Sequence, residues 1–366
     1  MLVTKKYKSY LMNHPNAEHW DIKALKFTLS LGSKGDIFII NSPRNYGKTY
    51  SVLELVKEEL EKGQSVALGR YNKPELGSLI ADATNKISGL EPIRVEGSQL
   101  KWYEYSKTGG RIAFFPWNIA QNVKGTDYPF SYIICDEFIP ERYTNKTRFD
   151  TEFKDWTSVY KTLARSYNPT VIMLANNIQW INPFYLAWGV TPIDKGDIVR
   201  FTQYFNFEVD GNKYSTNRTV IVENVPATKP MILRNLKQQA ISFNSDADMV
   251  RYFDNATRKE YTQIAKCPDL NAPLSNLQIM SDGYYMRARG FNGMMYWCKV
   301  KPDYNVTTIT SEPEFIDVTK KTIKNKGVND GLETAFNSGI CIFDSTDTLM
   351  AFMRFLRHNR GYLQMG

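Results

Sequence analysis

The sequence predicts an α/β fold for the larger, first part of the chain and a smaller α+β domain at its end. Apolar runs at 37–40, 65–68, 132–138 and 170–174 have the continuous hydrophobicity of buried parallel strands. Stretches with helical spacing lie between them, and strands that alternate with helices indicate a parallel sheet. Beyond about residue 275 the pattern becomes alternating and aromatic, which is typical of antiparallel strands.

The elements of the first part follow in a regular order. Residues 1–35 are mixed and predict a short helix ahead of the sheet. Residues 50–57 form a helix directly after the first buried strand, and the loop at 70–76 starts another. Two aromatic strands around a Gly-Gly turn predict a hairpin over 99–117. A helix at 151–165 then precedes the last buried strand.

The later part of the chain has a different sequence pattern, because prolines interrupt a polar and mainly helical region. The elements predicted there are a helix at 246–253, strands at 283–289 and 293–300, a helix at 331–337, a strand at 341–343 and a helix at 347–358. The sequence therefore predicts three domains, at 1–225, 226–272 and 273–366, of which the middle one is a small helical linker.

The composition limits the classes of protein to which the chain can belong. The 366 residues include 46 Lys and Arg against 38 Asp and Glu, a net charge of +8 that suits a polyanionic partner without requiring one. The four cysteines form no CxxC pair, which argues against zinc and disulfides. No stretch approaches the ~20 apolar residues of a membrane span, and no apolar signal segment follows the Lys-rich start. We expect a soluble, cytoplasmic protein.

A phosphate-binding loop is predicted between the first buried strand and its helix. Backbone N–H groups and a helix dipole hold a triphosphate in this arrangement. Ser42 stands where the usual spacing has a glycine, and a serine bends less freely. The alternative is a surface loop that contains Gly-Lys-Thr by chance. The residues expected to hold the nucleotide are Ser42, Pro43, Arg44, Asn45, Tyr46, Gly47, Lys48 and Thr49.

A pair of carboxylates supports this interpretation. Asp136 and Glu137 end the apolar run at 132–138, and open α/β sheets bind ligands at the carboxyl ends of their strands. We expect Lys48 to neutralise the β- and γ-phosphates, and Thr49 and Asp136 to hold Mg²⁺. Glu137 is the candidate general base that polarises the attacking water. A strand that ends in a solvated acidic turn is the alternative, and the two motifs together favour ATP hydrolysis.

In this order the motifs resemble those of the DNA-packaging ATPases of phi29-like bacteriophages. The resemblance covers most of residues 37–190 and is much weaker after about residue 225. It is carried by the segments 44–49, 73–76, 121–124, 128–139, 174–176 and 182–185.

The resemblance implies a terminase-like ring motor, a homopentamer in the host cytoplasm at the portal vertex of a viral prohead, which uses ATP to move double-stranded DNA. In that family an ASCE-type ATPase domain precedes an RNase H-like domain that has lost its metal-binding acids. Here the hairpin at 284–300 offers basic residues but no carboxylate, so we expect no nuclease activity. In the family the terminal domain contacts a packaging RNA or the prohead. A basic, aromatic surface fits RNA, and half-buried strands account for it equally well.

The resemblance also implies roles for single residues. Arg165 matches the arginine that a neighbouring subunit inserts to stabilise the transferring phosphoryl group, with Arg142 and Arg148 as competitors. Asn176 stands where a sensor of the γ-phosphate is expected, or is an ordinary strand-ending asparagine. Arg44 contacts phosphate or a neighbouring subunit, unless its role is structural.

Contacts with DNA should be directed to phosphates and independent of sequence, because a packaging motor accepts any sequence. Lys124 is the first candidate, followed by Lys73 and Arg70, although each fits a solvated surface charge as well. Two other functions remain open at this point. One is a nucleic-acid-remodelling ATPase such as a helicase, and the other is a nucleotide-gated scaffold in which Glu137 is idle.

Overall fold

The computed structural model covers the chain with several gaps. It describes residues 2–43, 45–118, 123, 128–139, 146–165, 167–175, 182–191, 193–210, 212–239, 266–281, 283–310, 316, 321–323, 326–337 and 340–359. Arg44, Lys124, Asn176 and the predicted helix at 246–253 lie outside the described residues.

The chain divides into two compact units. The first comprises Met1–Gln179 with Ile193–Lys259, and the second comprises Trp180–Pro192 with Glu260–Gly366. The predicted three-domain division stays a prediction, because residues 240–265 of the expected linker lie outside the described part.

A ten-stranded sheet forms the centre of the first unit. Its strands are β1 (Leu2–Lys8), β2 (Ile37–Asn41), β3 (Ser65–Arg70), β4 (Leu90–Ile93), β5 (Lys101–Tyr105), β6 (Arg111–Pro116), β7 (Phe130–Cys135), β8 (Thr170–Ala175), β9 (Asp197–Val209) and β10 (Asn212–Asn224). They lie in the order β1-β9-β10-β2-β8-β7-β3-β6-β5-β4. The neighbours from β10 to β6 in this order run parallel, so the predicted α/β class is confirmed.

Helices accompany the strands of both units. Within the described residues they are α1 (Ile22–Leu29), α2 (Lys48–Glu61), α3 (Lys73–Lys86), α4 (Lys146–Ala164), α5 (Pro183–Trp188), α6 (Lys229–Gln239), α7 (Lys326–Asn337) and α8 (Thr346–Asn359). Apolar side chains at helical spacing, such as Val52, Val56 and Leu60 of α2, are buried against the sheet. No described helix is long and apolar enough to cross a membrane.

The first residues differ from the expected helical start. Helix α1 forms, but residues 2–8 form the edge strand β1, which pairs antiparallel with β9. The carboxylate of Asp197 on β9 lies 2.5 Å from the Lys6 ammonium and 2.6 Å from that of Lys8. Lysines are common on edge strands because they discourage pairing with other chains. The Lys-rich opening is therefore part of the sheet.

The second unit contains a six-stranded sheet, whose predicted hairpin over 283–300 is confirmed. Its strands are β11 (Leu274–Ser281), β12 (Tyr284–Phe291), β13 (Met294–Lys299), β14 (Thr307–Thr310), β15 (Thr322–Ile323) and β16 (Cys341–Phe343), in the order β15-β14-β11-β12-β13-β16. Strands β11 to β13 are antiparallel, and β14 and β16 run parallel to β11 and β13. Trp297 packs on Phe352 of α8. The ring centroids of Phe352 and Phe343 are 5.2 Å apart.

Replacing Trp297 by Ala should destabilise the second unit by about 3–5 kcal/mol, because it removes a fully buried indole from this aromatic cluster. Tyr304→Ala is the control, since Tyr304 is 58% exposed and its loss should change the unfolding free energy by less than about 0.5 kcal/mol. Hydrogen exchange of the amides in β11–β13 measures the difference. Equal protection in the two variants would contradict the packing described.

Candidate nucleotide-binding site

The carboxyl ends of three parallel strands meet at one edge of the first sheet. Strand β2 leads into the loop at 42–49, β7 ends before Asp136, and β3 ends at Arg70. Strand β8 lies between β2 and β7. Backbone hydrogen bonds tie the strand ends together, since Ser42 N donates to Ala175 O at 3.2 Å and Asp136 N donates to Gly69 O at 2.9 Å. The two predicted motifs are therefore neighbours in space.

The loop is held in a left-handed conformation at two positions. Asn45 has a φ of 65° and Gly47 has a φ of 94°. A Cβ atom at Gly47 would lie 2.7 Å from the backbone oxygen of Trp20, so only glycine fits. The same Trp20 oxygen accepts from the Ser51 hydroxyl at 2.9 Å, and Trp20 N donates to Tyr46 O at 2.8 Å. These hydrogen bonds to the backbone of Trp20 hold the outer side of the loop in place.

Lys48 begins α2 and lies folded over the loop, with only 4% of its surface exposed. Its ammonium donates to the Ser42 hydroxyl at 2.6 Å, to Ser42 O at 3.1 Å and to Pro43 O at 3.0 Å. Ser42 replaces the usual glycine without blocking the loop, and its hydroxyl supplies the shortest of these bonds. The sequence predicted Lys48 for the site but did not predict this pairing.

Thr49 and Asp136 are brought together, as a shared metal site would require. The Thr49 hydroxyl donates to Asp136 Oδ1 at 3.3 Å, across 87 positions of the sequence. A hydroxyl and a carboxylate are hard oxygen ligands of the kind that Mg²⁺ prefers. Within the described residues no group of at least three His, Cys, Asp or Glu side chains could hold a metal ion. Mg²⁺ at this point would therefore depend on Thr49, Asp136, water and phosphate oxygens.

Arg70 pairs with the other oxygen of Asp136. Its Nη2 lies 2.6 Å and its Nε 3.1 Å from Asp136 Oδ2, and both side chains are buried. Burial raises the pKa of Asp136 above its ordinary value, and the charge of Arg70 opposes that rise. Burial also works against the charged form of Arg70, but the two neighbouring carboxylates raise its pKa overall. The ion pair keeps a buried carboxylate next to Thr49.

This position differs from the one expected for Arg70. The sequence assigned it to DNA, yet its side chain is only 12% exposed and Nη1 also donates to Ser78 Oγ at 2.8 Å. A contact between Arg70 and DNA would require these bonds to break, so it stays a prediction. The signal that could have revealed its position is that Arg70 ends an apolar strand, as Asp136 follows one.

Glu137 lies at the mouth of the site. Its side chain is 34% exposed, and Oε2 lies 3.8 Å from Arg70 Nη1. Its φ of 53° is unusual for a residue with a side chain, and such conformations are concentrated at functional positions. A half-exposed carboxylate next to the buried Asp136 is placed to meet water, as a general base requires.

The remaining candidates lie elsewhere on the first unit. Lys73 is exposed at the first residue of α3, near the same carboxyl edge. Arg165 is exposed and directly follows α4, whose 19 residues span about 28 Å. Tyr167 lines a cavity together with Lys34 and Gln64, which precede β2 and β3. Arg165 therefore lies toward the amino edge of the sheet, remote from Asp136 of its own chain.

Replacing Gly47 by Ala should destabilise the first unit more than the same change at Gly109. Both glycines have positive φ, 94° and 77°, which costs alanine about 1–2 kcal/mol at either position. Only at Gly47 does the added methyl meet backbone, whereas nothing lies within 4 Å of a Cβ at Gly109. Urea unfolding should show Gly47→Ala to be the less stable variant by at least about 1 kcal/mol. Equal stability of the two variants would show that the loop does not lie against Trp20.

Comparisons with known proteins were made by sequence and by structure. No protein-family model matches the chain, and no curated protein matches its sequence. Solved structures of DNA packaging motors are similar to it. The Phi-28 packaging motor has 15% identity and a TM-score of 0.48, over 93% of this chain and 98% of that one. The bacteriophage Phi-29 genome packaging motor assembly has 20% identity and a TM-score of 0.49, over 91% and 98%.

A third similar structure is limited to one domain. The N-terminal domain of the DNA packaging ATPase from bacteriophage phi29 has 21% identity and a TM-score of 0.40, over 56% of this chain and 95% of that one. These are the proteins that the order of motifs in the sequence resembles. Each of these three TM-scores is below 0.5, so the function depends on the residues of this chain.

Proposed function

We propose that this chain is an ATPase that translocates double-stranded viral DNA into a preformed prohead. The observation that carries the proposal is the contact between Thr49, at the start of α2, and Asp136, at the end of β7. A loop of backbone amides, a buried lysine and two adjacent carboxylates then surround one point at the carboxyl edge of the sheet. Few ligands other than a nucleoside triphosphate with a divalent cation need all of these groups.

Each residue has a distinct part in hydrolysis. The amides at 46–49 bind the phosphates, and Lys48 turns from Ser42 and Pro43 to the β- and γ-phosphates when these enter. Thr49 and Asp136 would hold Mg²⁺, which when bound neutralises charge on the phosphates. Glu137 accepts a proton from the attacking water. Arg70 favours the ionised form of Asp136 against the effect of burial and holds the carboxylate beside Thr49.

The order of the strands supports an ASCE-type ATPase domain, because one strand, β8, separates the loop strand from the acidic strand. In the second unit, β11 to β13 are antiparallel and β14 and β15 extend the sheet as parallel strands beside β11. This order supports an RNase H-like domain. We propose that this domain has no nuclease activity, that it contacts the prohead or a packaging RNA, and that residues 226–272 act as a linker.

A ring is proposed because Arg165, the arginine expected to complete a nucleotide site, lies remote from Asp136 of its own chain. Arg165 is exposed and lies at the opposite edge of the sheet from Asp136, so it can complete only the site of a neighbouring subunit. A homopentamer at the portal vertex in the host cytoplasm fits the resemblance. Lys73 and Lys124 are the proposed contacts with DNA phosphates, and Arg70 would join them only by leaving Asp136. Arg44 and Asn176 are the further proposed contacts with nucleotide.

Replacing Glu137 by Gln should abolish turnover while nucleotide still binds, because the amide keeps the shape of the side chain but cannot accept the proton. We expect turnover to fall by about 10²–10⁴-fold. Glu96→Gln is the matched control, since Glu96 is exposed outside the site. Phosphate release with and without double-stranded DNA measures the effect. Turnover that is insensitive to Glu137→Gln, or a wild type that DNA does not stimulate, would contradict the proposal.

The same preparation separates a translocase from a helicase. A translocase displaces a third strand bound to the duplex and leaves the duplex paired, whereas a helicase separates the two strands. ATP-dependent duplex separation would therefore replace the proposed function with the alternative one.

Mixing two inactive variants tests whether Arg165 acts between subunits. Arg165→Ala subunits keep an intact loop, and Lys48→Ala subunits keep the arginine, so a mixed ring should regain part of the ATPase activity that each variant lacks alone. Lys161→Ala is the control for Arg165→Ala, since Lys161 is exposed one turn earlier on α4. An active Arg165→Ala ring, or no recovery on mixing, would remove Arg165 from the mechanism.

A further inference from the structure

Helix α6, which follows the strand next to β2, brings an arginine from a distant part of the sequence to the phosphate-binding loop. The helix starts just after β10, where Thr228 Oγ1 accepts from Met231 N at 3.3 Å and donates to Ala17 O at 2.5 Å. Met231 and Ile232 are buried, and Met231 belongs to the same apolar cluster as Trp20 and Tyr46. This face of α6 is therefore fixed against the segments that surround the loop.

Arg234 follows Met231 by one helical turn and contacts the loop itself. Its Nη2 donates to the backbone oxygen of Asn45 at 2.5 Å, across 189 positions of the sequence. Its Nη1 lies 3.4 Å from Nδ1 of His19, the residue before Trp20. A hydrogen bond from a charged donor is stronger than one between neutral groups.

The bond to Asn45 determines where the next amide points. A trans peptide unit is planar, and its C=O and N–H point in opposite directions; the described chain contains no cis peptide bond. With the Asn45 oxygen directed at Arg234, the N–H of Tyr46 is directed to the side of the loop away from Arg234. Trp20 N donates to the Tyr46 oxygen and directs the N–H of Gly47 in the same way.

We infer that Arg234 is a positioning residue for nucleotide binding. It binds the carbonyl oxygen of Asn45 on the side of the loop away from the phosphates, and so directs the N–H of Tyr46 toward the phosphates. The inference rests on the proposed function and adds a residue to it. It explains how Asn45, whose φ is 65°, keeps a left-handed conformation in a loop with one glycine. It also places a positive charge behind the loop, where it favours bound phosphate.

The test compares Arg234→Ala with Arg234→Lys and with Lys237→Ala, an exposed control on the same helix. Calorimetric titration with ADP should show binding weakened about tenfold or more in Arg234→Ala, because one charged hydrogen bond to the loop is lost. Arg234→Lys should recover part of the affinity, since an ammonium can still donate to the Asn45 oxygen. Lys237→Ala should bind as the wild type does. In steady-state turnover Arg234→Ala should raise KM for ATP more than it lowers kcat.

Thermal unfolding of the same variants separates positioning from a structural role. The inference predicts that Arg234→Ala and Lys237→Ala unfold at the same temperature while only Arg234→Ala binds ADP weakly. Wild-type affinity in Arg234→Ala would overturn it, as would weak binding that Lys does not recover and that comes with a lower unfolding temperature. A wild type that does not bind ADP would overturn the proposed function and this inference together, so the two failures are distinguishable.

Discussion

The site depends on the parallel register of β2, β8 and β7, which brings the hydroxyl of Thr49 within 3.3 Å of the carboxylate of Asp136. Thr49 or Asp136 by itself cannot bind a nucleotide together with its cation. Thr49 lies on the helix that follows β2, and Asp136 follows β7, which is two strands away from β2 in the sheet. The intervening β8 fixes the distance between them. Every other group in the site is arranged around this contact.

Buried charges around that contact are held by specific partners. Arg70 stabilises Asp136, and the oxygens of Ser42 and Pro43 stabilise the ammonium of Lys48. Trp20 and Arg234 hold the backbone of the loop. Isolated buried charges are costly, so each of these groups keeps a partner until a ligand replaces it. The arrangement is therefore preorganised, and under the proposed function the entry of phosphate would exchange bonds of Lys48 within the protein for bonds to the ligand.

Much of the fold followed from local patterns. The apolar runs at 37–40, 132–138 and 170–174 became β2, β7 and β8, because a strand buried on both faces must be apolar throughout. Strand β1 was missed, since alternating lysines have no apolar signal and the strand exists through its pairing with β9 and Asp197. Strands β9 and β10 were missed whole, the buried inner halves as well as the exposed outer ones.

In the site, too, some residues could be predicted from local sequence patterns, whereas others depend on contacts between distant parts of the sequence. That the loop with Lys48 and Thr49 lies beside Asp136 and Glu137 could be predicted from the two motifs, and the roles of these residues in hydrolysis stay a prediction. Arg70 was assigned to DNA although it ends an apolar strand beside the one that Asp136 follows, and Arg234 could not be predicted, since no motif marks it and only the tertiary structure brings it to Asn45. The most direct test is a structure with a bound non-hydrolysable ATP analogue. The account predicts phosphate oxygens within about 3 Å of the amides at 46–49 and of the Lys48 ammonium; an analogue bound away from this loop and from Asp136 would contradict it.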